Sequence, residues 1–152
     1  MIIEYHRTHM NTHPPTRSNP SDAGLDVYFS PKEGKAISIH PGESVVLPTG
    51  LRFGVPHGYM LEVKNRSSVA AKRSLIVGAC VVDSGYDGEL FVNLHNIGTE
   101  VQIIEFHTKI AQIVMVPVVP FRAMETSNPD LYGWYPITIS DRADGALGST
   151  DE

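Results

Sequence analysis

The sequence has few of the residues that mark secreted, membrane or zinc-finger proteins. It has one cysteine, Cys80, so it can form no intramolecular disulfide and holds no cysteine-rich zinc motif. No apolar run is long enough to span a membrane, and the first twenty residues lack the apolar core of a signal peptide. We therefore expect a soluble protein of the cytoplasm or another intracellular compartment, without a membrane partner.

Positive charge is also scarce. The chain has 12 Lys and Arg against 17 Asp and Glu, a formal net charge of -5, and its basic residues are scattered. A nucleic-acid polymer is usually bound by a basic patch, so we expect no such partner. A few well-placed cations can still hold a small anion such as a phosphate.

Helical patterns are nearly missing, and short strand-like runs take their place. Turn signals such as HPGE, PTG and PHG separate these runs, which are rich in valine, isoleucine and aromatic residues. The runs are LDVYF, AISIH, SVVLP, LRFGV, YMLEVK, LIVGACVV, ELFVNLH, VQIIEF and AQIVMVPVV. This pattern predicts an all-β protein, an antiparallel sandwich or barrel. Only SSVAAKRS looks helical, with Ser67 placed to cap it.

Three segments do not fit the sheets. Residues 11–23 are rich in Pro, Ser and Asn, which predicts a loop. Residues 141–152 are small, polar and glycine-rich, which predicts a flexible arm after a β domain at 1–140. Residues 128–140 hold Tyr132, Trp134 and Tyr135; we expect a loop leading into one more strand, and a candidate surface for a protein partner.

Small polar motifs follow several strand-like runs. They are DAGLD at 22–26, NRSS at 65–68, VVDSGYDG at 81–88, KIAQ at 109–112 and RADGALGST at 142–150. Each motif alone is weak evidence, because such short combinations occur by chance. Their order and spacing together are specific.

From about Asp22 onward the sequence resembles the trimeric dUTP pyrophosphatase (dUTPase) family, whose ordered motifs these segments match. The resemblance implies the jelly-roll-like dUTPase fold (β-clip), with one short helix and a flexible C-terminal arm. It also implies hydrolysis of dUTP to dUMP and pyrophosphate with Mg2+, in a homotrimer. One chain would supply the hairpin at 81–90, and a neighbour the phosphate-binding residues.

The hairpin carries the residues that match the catalytic motif. Asp83 matches the aspartate that orients and polarises the attacking water, and a carboxylate is ionised at neutral pH without tuning. The plainer alternative is a turn aspartate. Tyr86 matches the tyrosine that packs on the deoxyribose and excludes a 2′-hydroxyl, or it packs only on its own hairpin. The resemblance assigns uracil to main-chain groups of Gly78, Ala79, Cys80 and Val82.

Other matching residues would hold the phosphates and the metal. Arg66, Ser67 and Ser68 match the second motif, and Gln112 matches a phosphate-contacting glutamine. Lys109 stands where arginine is usual, so the charge is kept but the bidentate fork is lost.

The resemblance assigns Asp26 to Mg2+, which it would reach through water. The alternative is a solvated acid beside a strand.

The C-terminal arm departs from the family pattern. Arg142 would contact the terminal phosphate, and Gly148 and Ser149 belong to the same glycine-rich motif. Leu147 stands where an aromatic residue usually stacks on uracil, and a leucine can cover a base without stacking on it. We expect weaker closure of the arm.

Three alternatives remain open. The related dCTP deaminases need a glutamate where this chain has Asn93, and an amide cannot transfer the proton, so deamination is disfavoured. The fold could instead serve as a binding or regulatory module with little activity. The spacing of His6, His9 and His13 suggests a metal site, but we favour mobile surface histidines.

Overall fold

A computed structural model describes residues 1–132, and all structural statements below concern these residues. Trp134, Tyr135 and the arm residues Arg142, Leu147, Gly148 and Ser149 lie outside them. The predicted strand does not begin within 128–132, where the chain forms turns.

Short antiparallel strands make up the described chain, with a single helix. The strands are β1 (Tyr5–Arg7), β2 (Leu25–Tyr28), β3 (Ile37–Ile39), β4 (Ser44–Pro48), β5 (Leu51–Phe53), β6 (Tyr59–Lys64), β7 (Leu75–Val77), β8 (Val81–Val82), β9 (Phe91–Asn96), β10 (Gln102–Ile104) and β11 (Lys109–Pro117). The helix α1 is Ser67–Arg73. At seven residues it is too short to cross a membrane, and the described chain has no other helix.

The strands form two larger sheets and two ribbons. The four-stranded sheet has the order β2-β11-β6-β8, and the three-stranded sheet has the order β4-β9-β7. The ribbons pair β1 with β5 and β3 with β10. This arrangement confirms the all-β, jelly-roll-like fold with one short helix.

Alternating side chains from the strands build one hydrophobic core. In β9, Val92, Leu94 and Asn96 are buried, whereas Phe91, Asn93 and His95 face outward. The same period of two recurs in the other strands and is the pattern that predicted them. The most deeply buried large apolar side chains are Ile39, Leu47, Leu51, Leu61, Leu75, Leu94, Ile104 and Ile110. This core fixes the strand ends on which the polar motifs lie.

Two local expectations need correction. The run LIVGACVV is not one strand, because Gly78 donates its amide to Asn93 and Cys80 accepts from Val63, which bends the chain between β7 and β8. Ser67 does not cap α1. It is the first helical residue, and the capping position is Arg66, whose side chain makes no capping bond. Ser74 ends the helix with a φ of 53°.

The histidines are not all mobile surface residues. His9 is partly buried, with Nε2 3.1 Å from the carbonyl oxygen of Ser30. The ring of His13 stacks on Tyr28 with centroids 3.6 Å apart. His6 alone is exposed, and no group of three metal-binding side chains occurs within residues 1–132.

The chain divides into two units, and the first comprises Met1–Pro120. The described part of the second, residues 121–132, consists of turns and irregular chain. Phe121, Met124, Leu131 and Tyr132 are exposed there. The predicted boundary between a β domain and an arm at residue 140 stays a prediction.

Asn96 is the buried polar residue on which the β3–β10 ribbon depends. Its Nδ2 donates to the carbonyls of Ile39 and Glu100 at 2.9 and 2.8 Å, and its Oδ1 accepts from the amide of Gly98 at 3.0 Å. The residue is 1% exposed, so water cannot replace these bonds.

We therefore expect Asn96→Ala to lower the free energy of unfolding by about 2–4 kcal/mol, since it strands buried polar groups. Asn11→Ala is the matched control, because the Asn11 side chain makes one exposed bond, to the carbonyl of Lys32. Urea unfolding of both variants measures the difference. Equal losses in the two would contradict the assigned role of Asn96.

Candidate active site

A carboxylate held by two cations lies at one end of the four-stranded sheet. Asp26 is on β2, Lys109 begins β11, and Arg66 follows β6. Arg66 Nε donates to Asp26 Oδ1 at 2.8 Å, and Lys109 Nζ lies 2.9 Å from Oδ2. The Asp26 side chain is only 15% exposed, so it is not the solvated acid of the alternative interpretation.

Lys109 is a fixed positive charge in this cluster. Its hydrogen bond to the Asp26 carboxylate raises its pKa above the usual 10.5. Nζ also lies 5.9 Å from the ring centroid of Tyr28. Arg66 supplies the second positive charge. The cluster thus carries two cations on one carboxylate, an excess of positive charge suited to an anion.

The serines of the second motif flank the cluster. Ser67 and Ser68 are exposed on the first turn of α1, and Arg66 Nη1 donates to Ser68 Oγ at 3.4 Å. Both hydroxyls are therefore accessible next to the cations.

Gln112 connects the first motif to the second. Its Nε2 donates to the carbonyl of Asn65 at 2.9 Å, and in the sheet it is paired with Asp26. A Cβ on Gly24 would lie 2.6 Å from Gln112 Oε1. The same Cβ would lie 3.1 Å from the carbonyl oxygen of Ile113, so a larger residue at this position would force Gln112 or the main chain to shift.

A cavity of about 470 Å3 opens beside Gln112. Gly78 and Cys80 line it together with Asn65 and Gln112. The resemblance assigned Gln112 to a neighbour's phosphate site and Gly78 and Cys80 to the base. In one chain the structure brings all three to one cavity.

The segment 81–90 does not form the paired hairpin that was expected, because β8 pairs with β6 and β9 pairs with β4 and β7. It is a loop between two sheets, called the hairpin below after that expectation, and it presents Asp83 immediately after β8. Asp83 is exposed, and among the described residues its carboxylate has no hydrogen-bond partner. The amide of Tyr86 donates to the Asp83 carbonyl at 3.2 Å, and Gly85 has a φ of +83°. This tight turn holds the carboxylate at the surface and leaves both its oxygens accessible.

Tyr86 lies next to Asp83 in a second cavity, of about 200 Å3. Its hydroxyl donates to the carbonyl of Glu89 at 2.9 Å, and the residue is still 46% exposed. A Cβ on Gly88 would lie 2.4 Å from this hydroxyl. The ring thus packs on its own hairpin and at the same time offers a face to solvent.

Asn93 holds the segment between β7 and β8, a role that the sequence analysis missed. Its Oδ1 accepts from the amide of Ala79 at 3.3 Å, and its Nδ2 donates to the carbonyl of Val45 at 3.0 Å. The alternation along β9 could have indicated an outward-facing amide here, but not its partners. An amide engaged in these bonds agrees with the argument against deamination.

Arg52 was also missed. It lies on β5 and contacts Asp87 in the hairpin. No pattern in the sequence connects two exposed residues so far apart in the chain.

The motifs and the fold agree with comparisons to known proteins. A sequence model of the family described as dUTPase matches residues 10–131. The chain belongs to the dUTPase family. It is 35% identical over 138 residues to a deoxyuridine 5′-triphosphate nucleotidohydrolase of Gloeobacter violaceus, which covers 90% of this chain and 87% of that relative. The enzyme of that name from Chlamydia muridarum is 34% identical over 140 residues, 91% of this chain and 90% of the relative.

Solved dUTPases share the fold at lower sequence identity. A variant of the phage 80α dUTPase superposes with a TM-score of 0.83 at 21% identity and covers 98% of both chains. A mutant of the dUTPase of phage phi11 of S. aureus gives a TM-score of 0.76 at 21% identity, over 86% of this chain and 99% of that one. These likenesses confirm the predicted fold, and the curated relatives confirm the prediction of a dUTPase-family enzyme.

Removing one cation from Asp26 should destabilise the domain. We expect Lys109→Met to lower the free energy of unfolding by about 1–2 kcal/mol at neutral pH, since the carboxylate is largely buried. Because the pKa of Lys109 is higher in the folded protein than in the unfolded protein, its charge stabilises the fold, and this stabilisation is complete below the pKa of the unfolded state. That stability disappears only as the pH rises through the folded pKa. The difference from wild type should therefore persist from about pH 7 to about pH 10.

Urea unfolding across this pH range measures the effect. Lys64→Met is the matched control, because Lys64 pairs with Glu62 on the surface and is 52% exposed. An effect of Lys109→Met no larger than the control's would show that the ion pair does not support the fold.

Proposed function

We propose that this dUTPase-family chain hydrolyses dUTP to dUMP and pyrophosphate, with Asp83 orienting the attacking water. The observation that supports it best is the exposed Asp83 carboxylate, which has no partner among the described residues and lies in one cavity with Tyr86. A structural turn aspartate would be expected to bond to its own turn. We place the enzyme inside the cell, where its substrate is made.

Asp83 acts as the general base. It accepts a proton from water while the water oxygen attacks the α-phosphorus. The bond between the α-phosphorus and the bridging oxygen breaks, and pyrophosphate leaves with the bonding electrons. Positioning the water and absorbing the charge that develops on the phosphates supply most of the acceleration.

The cation cluster binds the phosphates. Arg66 and Lys109 place positive charge next to exposed Ser67 and Ser68, whose hydroxyls can donate to phosphate oxygens. Gln112 contributes from the adjoining strand. Arg142 and the motif that contains Leu147, Gly148 and Ser149 would close over the bound nucleotide.

Asp26 is the only carboxylate in this cluster, and both its oxygens face cations. That donor set does not build a metal cage, but it fits Mg2+ that arrives with the triphosphate and keeps its waters. Asp26 would contact such an ion through water. When bound, the ion would neutralise part of the negative charge of the triphosphate. The phi11 phage dUTPase has been described with a structural Mg(II) ion.

The base and sugar are read by the hairpin. Main-chain groups of Gly78, Ala79, Cys80 and Val82 would bond to uracil, with Asn93 holding this segment. Tyr86 would pack on the deoxyribose, and an added 2′-hydroxyl would meet the ring. A phage 80α dUTPase has been solved with dUpNHpp.

We further propose a homotrimer with sites between subunits. Asp83 and Tyr86 line one cavity, which includes none of Asp26, Arg66 and Lys109. Sites shared between chains would unite the two groups. Tyr132, which is 68% exposed, is retained with Trp134 and Tyr135 as a candidate contact for a protein partner.

Replacing Asp83 tests the catalytic assignment. We expect Asp83→Asn to lower kcat for dUTP about 100-fold or more while the protein stays folded, because an amide cannot accept the proton. Pyrophosphate release with magnesium is the measurement, and Asp130→Asn, an exposed change in the second unit, is the control. Unimpaired turnover by Asp83→Asn would refute the role of Asp83.

Mixing two impaired variants tests the shared site. Asp83→Asn and Arg66→Met chains should each be strongly impaired, and co-refolding them should raise activity well above that of either variant alone, since a wild-type hairpin can then meet a wild-type cluster on a neighbour. Sedimentation of the mixture should give the mass of a trimer. A mixture that forms trimers but gains no activity, while wild type refolded in the same way is active, would mean that each chain holds its own complete site.

A further inference from the structure

The far end of the hairpin is held by strand β5. Arg52 Nε donates to the main-chain carbonyl of Asp87 at 2.8 Å, and Nη2 donates to the Asp87 carboxylate. Arg52 is on the strand that pairs with β1, opposite His6. One side chain therefore connects the β1–β5 ribbon to the turn that carries Tyr86.

Other bonds hold the residues on either side of this contact. The amide of Gly50 donates to Glu89 Oε1 at 2.6 Å, and the amide of Leu90 donates to the carbonyl of Leu51 at 2.7 Å. Among the bonds of residues 1–132, however, the contact of Arg52 with Asp87 is the one that joins the main chain between Tyr86 and Glu89 to β5. Its loss would leave this stretch fixed only at its ends.

The position of Tyr86 depends on the same stretch. The ring ends in a hydrogen bond to the carbonyl of Glu89, and it passes so close to Gly88 that no Cβ fits. The main chain at 87–89 thus forms the surface on which the ring rests. Arg52 holds the carbonyl of Asp87, one residue after Tyr86.

We propose that Arg52 is a positioning residue for sugar selectivity. By fixing the main chain beneath Tyr86, it keeps the ring where a 2′-hydroxyl would collide, and so favours dUTP over UTP. This inference rests on the proposed function. If the Tyr86 ring can shift away from the sugar, the site admits the 2′-hydroxyl of UTP. Loss of Arg52 should therefore lower the selectivity for dUTP over UTP.

The carbonyl contact matters more than the ion pair. The Asp87 side chain is 88% exposed, and ion pairs at such sites contribute little in water. A guanidinium bond to a main-chain carbonyl fixes the backbone itself. The two contacts can be separated, because Asp87→Asn removes the charge of the carboxylate and leaves the carbonyl.

The experiment compares kcat/KM for dUTP and for UTP in four proteins: wild type, Arg52→Met, Asp87→Asn and Arg7→Met. Met retains the length of the arginine stem without its donors. Arg7 is the matched control, because it lies exposed on β1 opposite Leu51 and makes no bond to the hairpin. Each ratio comes from one preparation, so a partly unfolded sample lowers both values equally.

We expect Arg52→Met to lower the dUTP/UTP ratio about five- to tenfold, as loss of one charged hydrogen bond can do. Asp87→Asn and Arg7→Met should stay within about twofold of wild type. Hydrogen exchange at amides 86–90 should be faster in Arg52→Met alone.

Two results would overturn the inference by itself. In the first, the wild type prefers dUTP, but Arg52→Met has the same dUTP/UTP ratio and the same hydrogen exchange at amides 86–90 as the wild type. The other is an equal fall of the ratio in Asp87→Asn, which would assign the effect to the ion pair. A wild type that does not hydrolyse dUTP would refute the proposed function, and this inference would fail with it.

Discussion

The ion cluster on Asp26 is the interaction on which the candidate site depends. A largely buried carboxylate is costly unless cations accompany it, and here each oxygen faces one. These cations come from β11 and from the turn after β6, so their attraction to Asp26 brings three separate parts of the chain together. The same attraction holds Arg66 and Lys109 close to each other, although like charges repel. The protein thus holds an excess of positive charge at the proposed phosphate site.

The sequence predicted those parts of the fold that local rules determine. Strands with a clear alternation, such as β9, and the helix starting at Ser67 were found because side-chain period and composition decide them. The break between β7 and β8 was not found, because it is made by Asn93 and Val63 from other strands. His9 and His13 were judged exposed for the same reason, since the groups that bury them come from distant residues.

The candidate site was predicted to a similar extent. Motif order placed Asp26 and Arg66 on the same side of the expected site and gave Lys109 a separate match, and the structure brings all three into direct contact. Arg52 could not be identified, because its partner lies 35 residues away and neither residue belongs to a recognisable pattern. Motifs record which groups touch a substrate. They do not record which groups hold those in place, and that information is carried by packing.

Strand β11 is paired on both sides, with β2 and with β6, and carries Lys109 and Gln112. The hairpin, by contrast, projects from the two-residue strand β8. Local opening is easiest where few contacts must break, so the hairpin can loosen while β11 stays intact. On warming, the segment that carries Asp83 and Tyr86 would therefore lose its order at a lower temperature than the sheet that carries Lys109 and Gln112.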